Sequence, residues 1–184
     1  TFVLRIEDTD QTRYVAGAEA YIEESLNWLN IPYDEWPGKP GSFGPYRQSE
    51  RSSLYKTHVG QLIDSGWAYY AFDTPNSLAD MRSAAESKGE TFVYNAQNRL
   101  SLNNSLALTT EQTQALLSAN TPYVVRFKSP EERSIVCEDL IRGRVVVDSS
   151  VLDDKILFKS DGMPTYHLAN VVDDHLMEIS FLVL

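Results

Sequence analysis

Three clusters in this 184-residue chain carry side chains able to do chemistry. The first is Arg5-Ile-Glu-Asp-Thr-Asp10, where carboxylates follow directly on an apolar run. In open α/β sheets ligands bind at the carboxyl ends of strands. A carboxylate at that edge can hold an ammonium group through a charge-assisted hydrogen bond. The plainer use of Asp8, Thr9 and Asp10 is a capped turn leading into the next helix. The second cluster is Gly44-Pro-Tyr-Arg-Gln-Ser-Glu-Arg51. Arg47 and Arg51 flank an expected helix N-terminus, whose free amides favour anions; the alternative is a local ion pair with Glu50. The third runs from Ser160 to His175 and brings Tyr166, His167, Asn170, Asp173, Asp174 and His175 close together. At helical spacing Tyr166 and Asn170 share a face, as do Asn170 and Asp173 or Asp174. That face suits a small polar substrate, or simply a structural polar cluster. Asp173, Asp174 and His175 are adjacent on a helix and point in different directions, which disfavours a metal cage.

The elements that must position these clusters read as follows. Residues 1–6 are apolar at nearly every position and suit a central parallel strand buried on both faces. Residues 16–29 give a helix whose inner face is Ala18, Ile22, Leu26 and Leu29. Ser49 is the expected N-cap of a helix over 50–65, with Tyr55, Val59, Leu62 and Ile63 inward and Gly66 closing it. Trp67–Phe72 is a strand. Thr74-Pro75 opens a helix with Leu78, Met81 and Ala85 inside. Residues 90–108 are asparagine-rich and aperiodic, and predict a surface loop. Thr109-Thr-Glu-Gln112 is a capping box before a short helix. Strands are expected at 122–128, 134–137 and 144–148. Leu157–Pro164 then reads as a strand and turn, Tyr166–Val172 as helix, and 177–183 as a last strand. The simplest account is an α/β layer interrupted by a smaller α+β insertion. This divides the chain at 1–50, 51–150 and 151–184.

Composition narrows the class. Hydrophobic content of 42% and charged content of 23% are ordinary for a globular protein. No apolar run approaches the roughly 20 residues that span a bilayer. Cys137 is the only cysteine, which excludes a disulfide framework and a cysteine-based zinc site, and fits a reducing, cytoplasmic setting. A net charge of −10 argues against a general nucleic-acid binder. Yet residues 51–152 hold 10 of the 16 basic side chains against 11 acidic ones. If any part meets a polyanion, it is this part. The apolar residues at both ends of the chain read as strands of something longer.

The blocks Arg5–Asp10, Gly44–Arg51, Asp139-Leu-Ile-Arg-Gly143 and Lys159–His175 stand in an order and spacing that resembles bacterial glutamyl-tRNA synthetases. The resemblance covers essentially the whole chain. Glutaminyl enzymes, and the truncated paralogue that glutamylates queuosine in tRNA, lack the Tyr166–His175 run.

The resemblance implies a class I Rossmann-type catalytic domain interrupted by an α+β insertion that reads the tRNA acceptor end. It implies a parent enzyme, expected to be a monomer, that activates L-glutamate with ATP and Mg²⁺ and transfers it to tRNA(Glu). Glu7 matches the carboxylate that meets the substrate's ammonium, and Tyr166 and Asn170 match residues lining the same pocket. Arg126, Lys128, Arg142 and Arg144 fall in the insertion as candidates for tRNA backbone contacts, or as ordinary surface ion pairs. Some family members hold zinc after the strand matching Trp67–Phe72; Tyr69-Tyr-Ala-Phe72 has no cysteine, so no structural zinc is expected. The His-Ile-Gly-His-like and Lys-Met-Ser-Lys-like ATP motifs and the anticodon-binding region are absent from the chain. The family arginine that helps bind the substrate carboxylates would fall at Leu184. The reading is therefore an internal fragment, inactive alone. The alternatives are a non-catalytic tRNA acceptor-binding module, and a metal-dependent hydrolase using Asp8, Asp10, Asp173 and Asp174.

Overall fold

The computed structural model describes residues 1–10 and 15–180. The chain forms two compact units, Thr1–His58 with Asp161–Leu184, and Val59–Ser160. The divisions fall at 58/59 and 160/161 rather than at 50/51 and 150/151. The second shift has a plain cause: residues 156–158 form a strand that pairs inside the second unit.

In the first unit residues 1–6 are extended but do not make a continuous strand. Two isolated parallel bridges, Val3 to Glu35 and Ile6 to Arg47, tie them to the chain that follows. The Leu4 amide donates to the Glu35 carbonyl, and the Ile6 amide to the Tyr46 carbonyl. Burial on both faces does not hold. Phe2 is exposed and Val3, Leu4 and Ile6 are only half-buried. Helix α1 spans Ala18–Trp28. Its expected inner face is half-buried only at Leu26, while Ile22 and Leu29 are exposed along with Tyr21 and Trp28. The periodicity makes the helix, but no described element covers the stripe.

Helix α2 spans Ser52–Asp64 and follows a single 3-10 turn, Gln48–Arg51. Ser49 is not its cap. That residue lies within the tighter turn, and its amide and hydroxyl both bond to Asp8. The predicted stripe holds: Tyr55 and Val59 are buried, and Gly66 takes the left-handed conformation (φ 77°) that ends the helix region. Helix α5, Tyr166–Leu176, buries Leu168, Ala169, Val172 and Asp173 on one face. The strand expected over 177–183 is not formed at 177–180, and the remainder lies outside the described residues.

The second unit is a three-stranded antiparallel sheet with strand order β1-β2-β5, β1 being Ala68–Ala71, β2 Val124–Phe127 and β5 Ile156–Phe158. A register shift between Val125 and Arg126 interrupts the β2–β5 pairing. Two further strands, β3 (Ser134–Asp139) and β4 (Gly143–Asp148), make a separate antiparallel ribbon with Leu140 and Ile141 exposed at its tip. Helix α3 spans Pro75–Glu86, and the Thr74 side chain accepts from the Ser77 amide as expected. Helix α4 spans Thr110–Ser118 and has both halves of the capping box.

The asparagine-rich segment remains irregular apart from a 3-10 turn at Arg99–Ser101, but it does not lie wholly on the surface: Tyr94, Arg99, Leu102 and Asn104 are buried. Tyr94 and Leu102 join Tyr69 and Ala71 in a buried cluster against which Leu78 and Met81 pack. Buried Asn104 makes this possible. Its Nδ2 reaches Tyr94 Oη and the carbonyls of Arg99 and Leu102, and its Oδ1 accepts from the Leu106 amide. A folded-back loop must satisfy its own backbone polar groups before it can be buried, and here an amide side chain does that work.

Candidate functional site

Helix α5 brings the third cluster to the second and to the first. Asp173 is fully buried. Its Oδ1 accepts from Arg51 Nε at 2.7 Å, and its Oδ2 from Gln48 Nε2 at 3.0 Å and Tyr55 Oη at 2.8 Å. Arg51 is closed by its own turn, with Nη1 donating to the Phe43 and Pro45 carbonyls. Burial and the acceptor at Asp173 push the Tyr55 hydroxyl well above the ordinary tyrosine range. The network anchors α5 to the start of α2; within it Gln48 Oε1 is buried with no hydrogen-bond partner.

One turn of α5 toward its start lies Asn170, and Arg5 links it to the first cluster. Arg5 Nη2 donates to Glu7 Oε1 at 3.0 Å and to Asn170 Oδ1 at 3.3 Å, and its Nη1 donates to Asp174 Oδ1 at 2.9 Å. Burial alone would lower the Arg5 pKa, but hydrogen bonds to Asp174 and Glu7 outweigh it and hold the guanidinium above its usual value. Three sequence candidates are thus placed as follows. Glu7 and Asn170 meet on one guanidinium. Tyr166 sits a turn earlier on the same helix, 57% exposed, with its ring edge against His167. The arrangement presents a carboxylate and an amide on one half-buried cation, a set suited to a zwitterionic ligand.

The two arginines of the second cluster divide. Arg51 is buried in the network. Arg47 is on the surface, donating from Nε and Nη2 to both Glu19 oxygens and from Nη1 to Glu50. Its local pairing with Glu50 is formed, and the contact with Glu19 holds that carboxyl below its ordinary range. Sequence reasoning missed Arg5, Gln48, Arg51, Tyr55 and Asp173 as one network. The available signal was phase: Arg51 and Tyr55 are four residues apart, so an inward Tyr55 turns Arg51 inward too.

The metal-hydrolase arrangement is not formed. Among the described residues no group of three or more His, Cys, Asp or Glu side chains is placed to hold a metal ion. Asp8 faces Ser49, and Asp173 and Asp174 face arginines.

In the second unit Arg142 and Arg144 are exposed on the β3–β4 ribbon, with Arg142 3.8 Å from Asp139, and Lys128 is half-buried. Arg126 differs. It is 7% exposed, its Nη1 donates to the Asp154 carbonyl, and its guanidinium carbon lies 3.9 Å from the Tyr94 ring centre. The open surface position expected of a phosphate-contacting residue does not hold for it, because the loop carrying Tyr94 packs over the β2 strand. It lines a cavity of about 430 Å³ with Phe72, Pro75, Leu78 and Tyr123. No helix among the described residues is long and apolar enough to cross a membrane.

Residues 1–183 match the family model of the class I tRNA synthetases (E and Q), catalytic domain, and the chain belongs to that family. Within it, the chain is similar to the glutamate–tRNA ligases of Christiangramia forsetii and Flavobacterium johnsoniae, at 59% and 56% identity over 182 residues. Each match covers 99% of this chain and 36% of the relative, so the chain spans about a third of their length. Among solved structures it is similar to a glutamate tRNA ligase of Elizabethkingia meningosepticum in complex with its amino acid. That match has a TM-score of 0.94 and 49% identity, and covers 97% of this chain and 36% of that one.

Proposed function

We propose that this chain is the amino-acid-binding and acceptor-binding segment of a glutamate–tRNA ligase. The observation that carries the reading is the joining of Glu7 and Asn170 on Arg5, in a chain similar along nearly its whole length to glutamate–tRNA ligases. The parent activates L-glutamate with ATP and passes it to the 3′ end of tRNA(Glu). In the first unit, part of the Rossmann-type catalytic domain, Glu7 holds the ammonium of the substrate, while Tyr166 and Asn170 line its pocket. The second unit is the acceptor-binding insertion, where Lys128, Arg142 and Arg144 meet the tRNA backbone. Arg126 contributes there through its cavity. The exposed apolar side chains of α1 support a place within a larger domain, since such surface is normally covered.

ATP–pyrophosphate exchange with glutamate and tRNA tests the reading. The isolated chain is expected to give none, because positioned groups at the phosphates supply most of the barrier lowering in this chemistry. A full-length ligase carrying the segment is expected to be active, and Glu7→Gln is expected to raise its KM for glutamate. Full exchange by the isolated chain, or an unchanged KM in the variant, overturns it.

A further inference from the structure

An amide side chain is a donor at one end and an acceptor at the other, and its sense is set by neighbours that can play only one part. Asp173 supplies such a neighbour. Its Oδ2 takes the Nε2 of Gln48, and reversing Gln48 would set an amide oxygen against the carboxylate. Gln48 is fully buried, and it keeps this sense although its Oε1 is left without a partner. The same Nε2 lies 3.4 Å from Asn170 Oδ1, and Arg5 Nη2, which can only donate, lies 3.3 Å from that oxygen. Both neighbours of Asn170 therefore demand an acceptor. Its Nδ2 must point away from them.

We propose that Gln48 and Arg5 are positioning residues that hold the Asn170 amide with its N–H donors toward the bound amino acid, so that the pocket reads an acceptor oxygen there and refuses an ammonium. The inference rests on the reading of Asn170 as a wall of the glutamate pocket. It assigns the two ends of a zwitterion to opposite sides of one guanidinium. Arg5 occupies Glu7 Oε1 and leaves Oε2 to accept an ammonium, while it turns Asn170 to donate to a carboxylate or carbonyl. The relay runs from a buried carboxylate through two amides, and only its last member touches ligand.

The test is the KM and kcat for glutamate in pyrophosphate exchange by the full-length ligase carrying this segment, for Asn170→Ala, Gln48→Met and the double variant. Each single change is expected to raise the KM for glutamate about tenfold, the size of one hydrogen bond to a charged group. The KM for ATP stays in place. The double variant is expected to be no worse than Asn170→Ala alone, because Gln48 acts through Asn170; a general loss of fold would add. Gln48→Leu, alone and with Asn170→Ala, provides the second cycle should Gln48→Met fail to fold. Additive effects, or a Gln48→Met variant with unchanged KM beside an impaired Asn170→Ala, overturn the relay and leave the pocket standing. An unchanged KM in Asn170→Ala overturns the pocket itself.

Discussion

Arg51 Nε donates to Asp173 Oδ1 at 2.7 Å across 122 residues of sequence, with both side chains buried. The carboxylate gathers a guanidinium, a phenol and an amide, and so fixes helix α5 to the start of helix α2. Arg47 and Glu19 make a bidentate pair at 2.8 and 2.9 Å at the surface, but solvent screening makes it a far weaker contact.

Asp173→Ala is expected to cost about 3–5 kcal/mol, because Arg51 would remain charged and buried without its partner. Glu19→Ala is expected to cost less than about 1 kcal/mol. Urea unfolding of the two variants checks this, and equal costs would contradict it.

The second unit should lose stability in alkali. Burial, and the hydrogen bond Tyr69 donates to Asp154 Oδ2 at 2.6 Å, hold the Tyr69 hydroxyl far above its ordinary range. The folded-state value lies above the unfolded value of about 10, so the contribution is complete below about pH 10. Above that pH the unfolded chain releases its proton first, and stability falls as pH rises. Urea midpoints measured from neutral pH into alkali should decline, and Tyr69→Phe should flatten that decline. A midpoint independent of pH in this range would be the contrary result.

Asn104→Ala removes the side chain that satisfies the buried loop. The freed carbonyls and the Leu106 amide have no water to turn to, so the loss is expected to exceed about 2 kcal/mol. Hydrogen exchange at Leu106 and Leu108 should accelerate with it. A loss within about 0.5 kcal/mol would return the segment to the class of surface loops.

Thr109→Ala should cost about 1 kcal/mol through the N-terminus of helix α4, while Thr109→Ser keeps the oxygen and most of the stability. Thermal unfolding of the pair distinguishes a working cap from an incidental contact.

For an acceptor-stem duplex bound to the full-length ligase carrying this segment, Arg142→Ala and Arg144→Ala should each lower the salt slope of affinity by about 1. Arg126→Met should instead destabilise the second unit, because its guanidinium is buried against Tyr94 and the Asp154 carbonyl. An unchanged slope in both exposed variants would remove them from the interface.

The features legible in the sequence are the local ones. The Thr109 capping box, the Thr74-Pro75 start and the Gly66 stop depend on partners three or four residues away, and each is formed. The inner stripe of α2 was legible for the same reason. Asn95–Asn104 was not, since a solvated loop and a loop satisfied by its own amides have the same composition. Glu7 and Asn170 were legible as chemistry, but their meeting on Arg5 was not, because no spacing rule reaches across 165 residues. Ala18, Ile22 and Leu29 mark the opposite failure: a correct helical period says which face is apolar, not what covers it.

The split of the first unit into two stretches dictates an order of events during synthesis. Val59–Ser160 is continuous, so it can complete its sheet as soon as β5 leaves the ribosome. Arg5 must wait for Asp174, 169 residues later. At about 5–20 residues per second that is a delay of roughly 8–34 s. Throughout it the residues around Arg5 and Gln48 lack the helix that completes their network.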